Sequence, residues 1–346
     1  MKKKIAVLHA QVPFVHGGAE LHVYALKKHL IEKGFDAEII QLPYKWYPAN
    51  SLYNSMLAWR MLDLSESNGQ KIDLVIGTKF PSYGAIHENK VAWVIHQFRQ
   101  VYDLYNTNIG YAGVPDGSHI RDHVKKFDKQ ALQEAKSVYA NSKNVANRLE
   151  RYTGIASTPL YHPPMLAGQY KSGEYGDYIL SVGRLDPLKR NDLLLRAIAK
   201  TNGKIRAKIA GKGPELENLK KLAVTLKIES QIDFLGFVPD EELPDLYANA
   251  FGVYFAPVDE DYGYITLEAF FSQKPVLTCI DSGGPLEFVK DAENGYICEP
   301  DDEQLADAMV KLYENRNMCK KFGANGLDVV KGITWDHVIQ ELTKTL

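Results

Sequence analysis

Short apolar runs recur along the chain, separated by longer stretches whose apolar positions repeat at helical spacing. Ile5–Leu8, Ala37–Ile40, Asp73–Gly77, Val91–Ile95 and Val138–Ala140 form a first set. Tyr178–Val182, Ala207–Ala210, Ile232–Leu235, Gly252–Ala256 and Val276–Thr278 form a second. Runs that are continuous rather than alternating predict parallel strands covered on both faces. Between them, residues 19–33 predict a helix with Leu26 and Leu30 on one face and Gly34 at its C-terminal cap. Asn141 and Ser142 offer caps for a helix to about Tyr152. Helical segments are also predicted at 215–226 and 303–313. The stretch 162–177 has two prolines, three glycines and little periodicity, and reads as an interdomain linker. The expected architecture is α/β: two doubly wound parallel-sheet domains at 1–165 and 166–330. A last helical piece within 331–346 is a candidate to cross back to the first domain. Two such domains facing a central cleft would bind ligands outside the carboxyl ends of their strands.

Composition narrows the class. The chain has 346 residues, 45% hydrophobic and 24% charged, as in ordinary globular proteins. Its three cysteines, at 279, 298 and 319, have neither a disulfide framework nor metal-knuckle spacing, so a reducing compartment is expected. After the basic start Met1-Lys2-Lys3-Lys4 the apolar run ends at Leu8, too short for an export signal, and no later run reaches membrane-span length. The expected location is the cytoplasm, with at most peripheral contact at the inner face of the membrane. The net charge of −2 is uneven. Residues 1–165 carry 20 Lys and Arg against 14 Asp and Glu, a net of +6; residues 166–346 carry 21 against 29, a net of −8. A basic first half fits an anionic partner, and scattered solvated charge fits the count equally. With no Arg-rich tract and no basic run interleaved with aromatics, nucleic acid is not an expected partner.

The densest chemical signal is 260–268, Glu-Asp-Tyr-Gly-Tyr-Ile-Thr-Leu-Glu, just after a strand end. Carboxylates eight residues apart, the second in a helix that starts there, can point into one crevice. A helix N-terminus in that crevice attracts phosphate, and a carboxylate there can accept a pair of sugar hydroxyls. The alternative is that Glu268 only stabilises its helix and Glu260 is solvated loop charge. Arg184, Lys189 and Arg190 follow the second set's first strand, where a leaving diphosphate would need positive charge. Two further strand ends lead into Gly211-Lys212-Gly213-Pro214-Glu215 and Gly236-Phe237-Val238-Pro239. In the first half, His16-Gly17-Gly18-Ala19-Glu20 opens a helix, where backbone N–H groups could approach a phosphate.

Taken together, these motifs resemble glycosyltransferase family 4, the retaining type with the two-Rossmann-domain GT-B fold. The similarity rests on Gly17-Gly18-Ala19-Glu20, Gly183-Arg184-Leu185 with Lys189, and Gly211-Lys212-Gly213-Pro214-Glu215. It continues through Leu235-Gly236-Phe237-Val238, the Glu260/Glu268 motif, Lys274-Pro275-Val276 and 282–287, Ser-Gly-Gly-Pro-Leu-Glu. The resemblance implies transfer of a hexose from a UDP- or GDP-linked sugar to a hydroxyl of a glycan, lipid-linked intermediate or small molecule, as in polysaccharide biosynthesis. Arg184 and Lys189 would hold the diphosphate, Glu268 the ribose, and Glu260 with backbone near Tyr262 and Gly263 the transferred sugar. Donor contacts would extend to Gly17, Gly18, Lys212, Gly213, Val238, Tyr264 and Ile265. His96, after a first-half strand, would contact the sugar, making His96, Glu260, Arg184 and Lys189 the implied catalytic set. Asp261-Tyr262 departs from the Gly-Phe frequent in the family and leaves sugar selectivity open.

Rival signals are weaker. Asp259-Glu260-Asp261 reads as a cation-binding Asp-x-Asp, but its middle residue already belongs to the Glu motif, so no metal and no cofactor beyond the sugar nucleotide are expected. His119 and His123 have helical metal spacing without the Glu or third ligand such a site needs. No Gly-x-Gly-x-x-Gly follows the first strand, which argues against a nicotinamide enzyme. Two other functions stay open: a sugar-nucleotide-cleaving or epimerising enzyme of the same fold, and a non-catalytic nucleotide-sugar-binding subunit.

Overall fold

The computed structural model describes residues 2–15 and 17–346. Two compact units divide the chain: residues 1–165 with 334–346, and residues 166–333.

In the first unit, β1 (Lys4–Gln11), α1 (Gly18–Glu32) and β2 (Asp36–Pro43) follow in order. Then come α2 (Ala49–Met61) and a small antiparallel hairpin of β3 (Glu66–Ser67) and β4 (Gln70–Lys71). The main sheet continues with β5 (Leu74–Lys79) and β6 (Lys90–His96). After α3 (Gly117–Gln133), β7 (Ser137–Ala140), α4 (Lys143–Thr153) and β8 (Thr158–Pro159) complete the run. The strand order is β2-β1-β5-β6-β7-β8, all parallel, and reverses direction between β1 and β5.

Alternate residues of β1 supply two cores, as a buried pleat requires. Ile5 and Val7 pack with Val23, Leu26 and Leu30 of α1, while Ala6, Leu8 and Ala10 pack with Trp59 of α2. The end of α1 forms a Schellman motif: Gly34 N–H donates to Ile31 O at 2.9 Å and Phe35 N–H to Leu30 O at 3.1 Å, with Gly34 at φ +93°. No element was read at 117–133, yet α3 lies there. Its buried Ile120, Val124 and Ala131 make a stripe of spacing four and seven that a polar composition hides.

The second unit runs β9 (Tyr178–Val182), α5 (Asn191–Lys200), β10 (Arg206–Ala210) and α6 (Leu216–Leu226). It continues with β11 (Ile232–Gly236), α7 (Leu243–Asn249), β12 (Gly252–Tyr254) and α8 (Tyr264–Phe271). The final elements are β13 (Val276–Cys279), β14 (Gly295–Cys298), α9 (Asp302–Glu314) and α10 (Arg316–Val330). All six strands are parallel in the order β11-β10-β9-β12-β13-β14, with the switch point between β9 and β12. No strand was expected at β14, whose middle residues are only half-buried.

The segment read as a linker is packed at both ends. His162 is fully buried in the first unit, and Tyr175 donates its hydroxyl to Gln273 O at 2.6 Å in the second. Its low periodicity reflects irregular backbone, not freedom. The last helix, α11 (Trp335–Leu342), belongs to the first unit, where Trp335, Val338, Ile339 and Leu342 join the α1 side of the core. Beneath it lies a buried histidine pair. His162 Nδ1 donates to Pro163 O at 3.3 Å, leaving its Nε2 to accept from His22 Nδ1 at 3.0 Å. Burial holds both imidazoles below their usual pKa, His162 at about 3.

Candidate functional site

In the second unit the implied donor residues sit on loops at the carboxyl ends of the strands. Three of those loops are stitched together by backbone. Gly183 N–H donates to Ala210 O at 2.9 Å, Leu185 N–H to Lys212 O at 3.0 Å and Gly211 N–H to Gly236 O at 2.7 Å. The glycines make this possible: a Cβ on Gly211 would stand 1.8 Å from Gly183 O, and one on Gly213 would stand 2.1 Å from Leu185 O. Arg184 and Lys212 emerge from these turns exposed, Lys212 over the Phe237 ring at 5.7 Å, and Val238 is half-buried beyond it.

The loop after β9 turns at Asp186, whose side chain accepts from Leu188 N–H at 3.0 Å. Lys189 then meets Glu260, from the loop after β12, as a short ion pair. The two residues expected to hold diphosphate and sugar are thus in direct contact across the switch point. The Glu260 loop is itself fixed by backbone: Glu260 N–H donates to Ser282 O at 2.9 Å and Gly284 N–H to Glu260 O at 2.8 Å. Next to Lys189, Arg190 donates to Pro257 O at 3.0 Å and to Asp281 at 2.7 Å, an anchor the sequence reading missed.

Gly263 precedes α8 at φ +85°, a conformation side chains resist, and a Cβ there would come within 3.1 Å of Phe255 and Pro285. Tyr262 is buried edge-to-face against Tyr264, and Tyr264 and Ile265 begin the helix. Glu268, one turn on, is half-buried. Tyr247 donates its hydroxyl to Glu268 Oε2 at 2.6 Å, and the Tyr170 hydroxyl lies near enough to favour the carboxylate. Burial raises the Glu268 pKa, opposed by those two hydroxyls. Neither tyrosine was singled out in the sequence, because each lies far from Glu268 along the chain.

In the first unit Gly17 N–H donates to Glu20 Oε2 at 2.9 Å, and Gly18 opens α1. A Cβ on Gly17 would meet nothing nearer than Glu20 Oε2 at 3.7 Å, so packing within the unit does not demand glycine there. His16 lies outside the described residues. Glu20 is buried between His9, whose Nε2 donates to Oε1 at 3.2 Å, and the Lys79 ammonium at 3.4 Å. Burial opposes its ionisation, but the His9 hydrogen bond and the Lys79 charge bring its carboxyl down to about 2. His96 is the last residue of β6, exposed after six buried positions and in register with Lys79 on β5.

Among the described residues no group of three or more His, Cys, Asp or Glu is arranged to hold a metal ion, and no helix is long and apolar enough to cross a membrane. His123 donates its Nδ1 proton to His119 O at 2.8 Å, which ties that pair to helix backbone.

Residues 168–329 match the family described as glycosyl transferases group 1. The α-1,3/1,6-mannosyltransferase of Dictyostelium discoideum is 33% identical over 111 residues, covering 32% of this chain and 26% of that protein. The D-inositol 3-phosphate glycosyltransferase of Nocardia farcinica is 28% identical over 244 residues, covering 63% and 54%. The chain therefore spans between about a quarter and about half of these curated relatives. Over its whole length it is similar in structure to Anabaena HepE, solved with UDP and glucose, with a TM-score of 0.72, 17% identity and 99% of each chain covered. The fold is GT-B, built from two Rossmann-like domains with six parallel strands each.

Proposed function

We propose that the chain is a retaining glycosyltransferase of family 4 that moves a hexose from a nucleoside-diphosphate sugar to a hydroxyl acceptor without a bound metal. The observation that carries this reading is the contact of Lys189 with Glu260 at the switch point of the second sheet. Open α/β sheets bind ligands at that point. There, one cation and one carboxylate with the opposite preferences of a diphosphate and a sugar stand side by side. The glycosyltransferase activities of the relatives support sugar transfer, and the UDP and glucose bound to HepE support this donor class.

In this reading, Arg184 and Lys189 stabilise the charge that develops on the leaving β-phosphate, with Lys212 on the adjoining turn and the α8 N-terminus adding to the field. Glu268 accepts the ribose hydroxyls and Glu260 a sugar hydroxyl. Departure of the diphosphate leaves an oxocarbenium-like centre. The acceptor hydroxyl attacks from the same face and loses its proton to the departing phosphate oxygen, so configuration at the anomeric carbon is retained. The acceptor hydroxyl belongs to a glycan, a lipid-linked intermediate or a small molecule.

Thermal-shift titration with UDP, GDP and their hexose conjugates tests the donor, since binding to the folded state raises stability by RT ln(1 + [L]/Kd). One nucleotide series is expected to stand out. Proton NMR of the product reads the anomer directly, and activity is expected to persist in excess EDTA. A chain stabilised by no nucleotide would remove the reading; loss in EDTA restored by Mg²⁺ or Mn²⁺ would return Asp259 and Asp261 to a metal role.

A further inference from the structure

The first unit holds a cavity of about 230 Å³ that His96 lines and to which none of the second unit's donor loops contributes. It opens at the carboxyl ends of β1, β2, β5 and β6, beside the β1–β5 switch point of that sheet. Its walls are aromatic. Phe80 and Phe98 stack with centroids 5.4 Å apart, and Trp46 is held in place by the Tyr111 hydroxyl, which donates to Trp46 O at 2.6 Å. Two amides also line it. Gln97 is fully buried, yet both its Oε1 and its Nε2 lack a partner among the described residues, as does Gln100 Oε1. The lysine in the lining, Lys79, is held by Glu20 at 3.4 Å.

Buried amides without partners are uncommon in folded proteins, and those at a functional cavity point to a ligand that completes them. An amide both donates and accepts, so it matches two adjacent hydroxyls, and aromatic faces match the C–H face of a pyranose. Among the described lining residues Lys79 is the one Lys or Arg, and it already faces the Glu20 carboxylate; His96, at the end of β6, also lines the cavity and can hydrogen-bond a sugar hydroxyl. The volume lies below the about 300–1,000 Å³ of sites for larger ligands and suits a single ring. We infer that this cavity takes one uncharged sugar ring of the acceptor, with Gln97 bridging two ring hydroxyls between the aromatic walls. The inference rests on the transferase reading and narrows it: the excess positive charge of residues 1–165 does not converge on this cavity, so the acceptor ring it holds is neutral.

Saturation-transfer NMR on the full chain, with methyl α-D-mannopyranoside, methyl α-D-glucopyranoside and mannose 6-phosphate as probes, tests this. A neutral glycoside is expected to receive saturation more strongly than the phosphate. Gln97→Leu is expected to weaken its binding at least tenfold while raising Tm, because an apolar group of similar shape replaces an unpaired buried amide. Trp46→Ala is expected to weaken it as well, with nucleotide affinity unchanged. The assignment is overturned by preference for mannose 6-phosphate, by no transfer to either glycoside, or by a Gln97→Leu protein that melts lower and binds the glycoside as before. It is also overturned if a sugar nucleotide, but not the bare nucleotide, displaces the glycoside, since the ring is then the donor's. Nucleotide binding is scored separately. Its absence removes the transferase reading, whereas nucleotide binding without glycoside binding removes only the acceptor assignment.

Discussion

Lys189 and Glu260, separated by 71 residues, meet as an ion pair between the loops that follow β9 and β12. Their side chains are 21% and 27% exposed, and pairs this open contribute only about 0–1 kcal/mol to stability. Their removal should therefore affect chemistry far more than folding. Lys189→Ala is expected to lower turnover about 10²–10³-fold, the scale of one lost preorganised donor, with Tm within a few degrees of the parent. Glu260→Ala is expected to lower turnover while leaving the bare nucleoside diphosphate bound about as before. Calorimetry decides: loss of nucleotide binding in Glu260→Ala would end the division of roles.

Glu268 makes the opposite forecast. Its carboxylate accepts from the buried Tyr247 hydroxyl, so truncation leaves that hydroxyl without its partner. Glu268→Ala is expected to cost about 1–3 kcal/mol in chemical denaturation and to weaken nucleotide and sugar nucleotide equally. An affinity loss confined to the sugar nucleotide would move Glu268 from the ribose to the sugar.

His96 stands exposed at the end of a strand whose other residues are buried. Taking it away should barely disturb the core. His96→Ala is expected to melt within a few degrees of the parent and to lose about 10²-fold in turnover, comparable to one aligned polar contact. A large drop in Tm with normal turnover per folded molecule would make His96 structural.

The His22–His162 pair gives a pH dependence of definite sign. His162 titrates at about 3 when folded against 6.5 for the free side chain. Between those values only the unfolded chain takes up the proton, so this stabilising contribution is complete above pH 6.5 and drains as pH falls. Asp128, buried with the Tyr83 and Tyr102 hydroxyls, works the other way: burial raises it to about 7, so stability falls as pH rises from about 4 toward 7. A variant comparison separates the two. The stability difference between the parent and His162→Phe is expected to shrink by about 1.4 kcal/mol between pH 7.5 and 5.5, read by urea midpoints. A difference that stays constant would mean that His162 titrates alike in the folded and the unfolded chain.

Much of the fold was legible along the chain because parallel strands buried on both faces write themselves as continuous apolar runs, and caps such as Gly34 act within one turn. The glycine turns at 183, 211, 213 and 263 were also visible, since positive φ and close backbone approach favour one residue type. Strand order was not legible: nothing local in Val276–Cys279 says it lies between β12 and β14. Nor was the pairing of Lys189 with Glu260, the two tyrosines on Glu268, or the docking of Trp335 over His22 and His162. These contacts join residues from 21 to more than 300 positions apart. The residue type at each position was set by the sequence alone; which of them became neighbours was decided by the packing of helices on two sheets, which brings every strand's carboxyl end to one edge of its own unit.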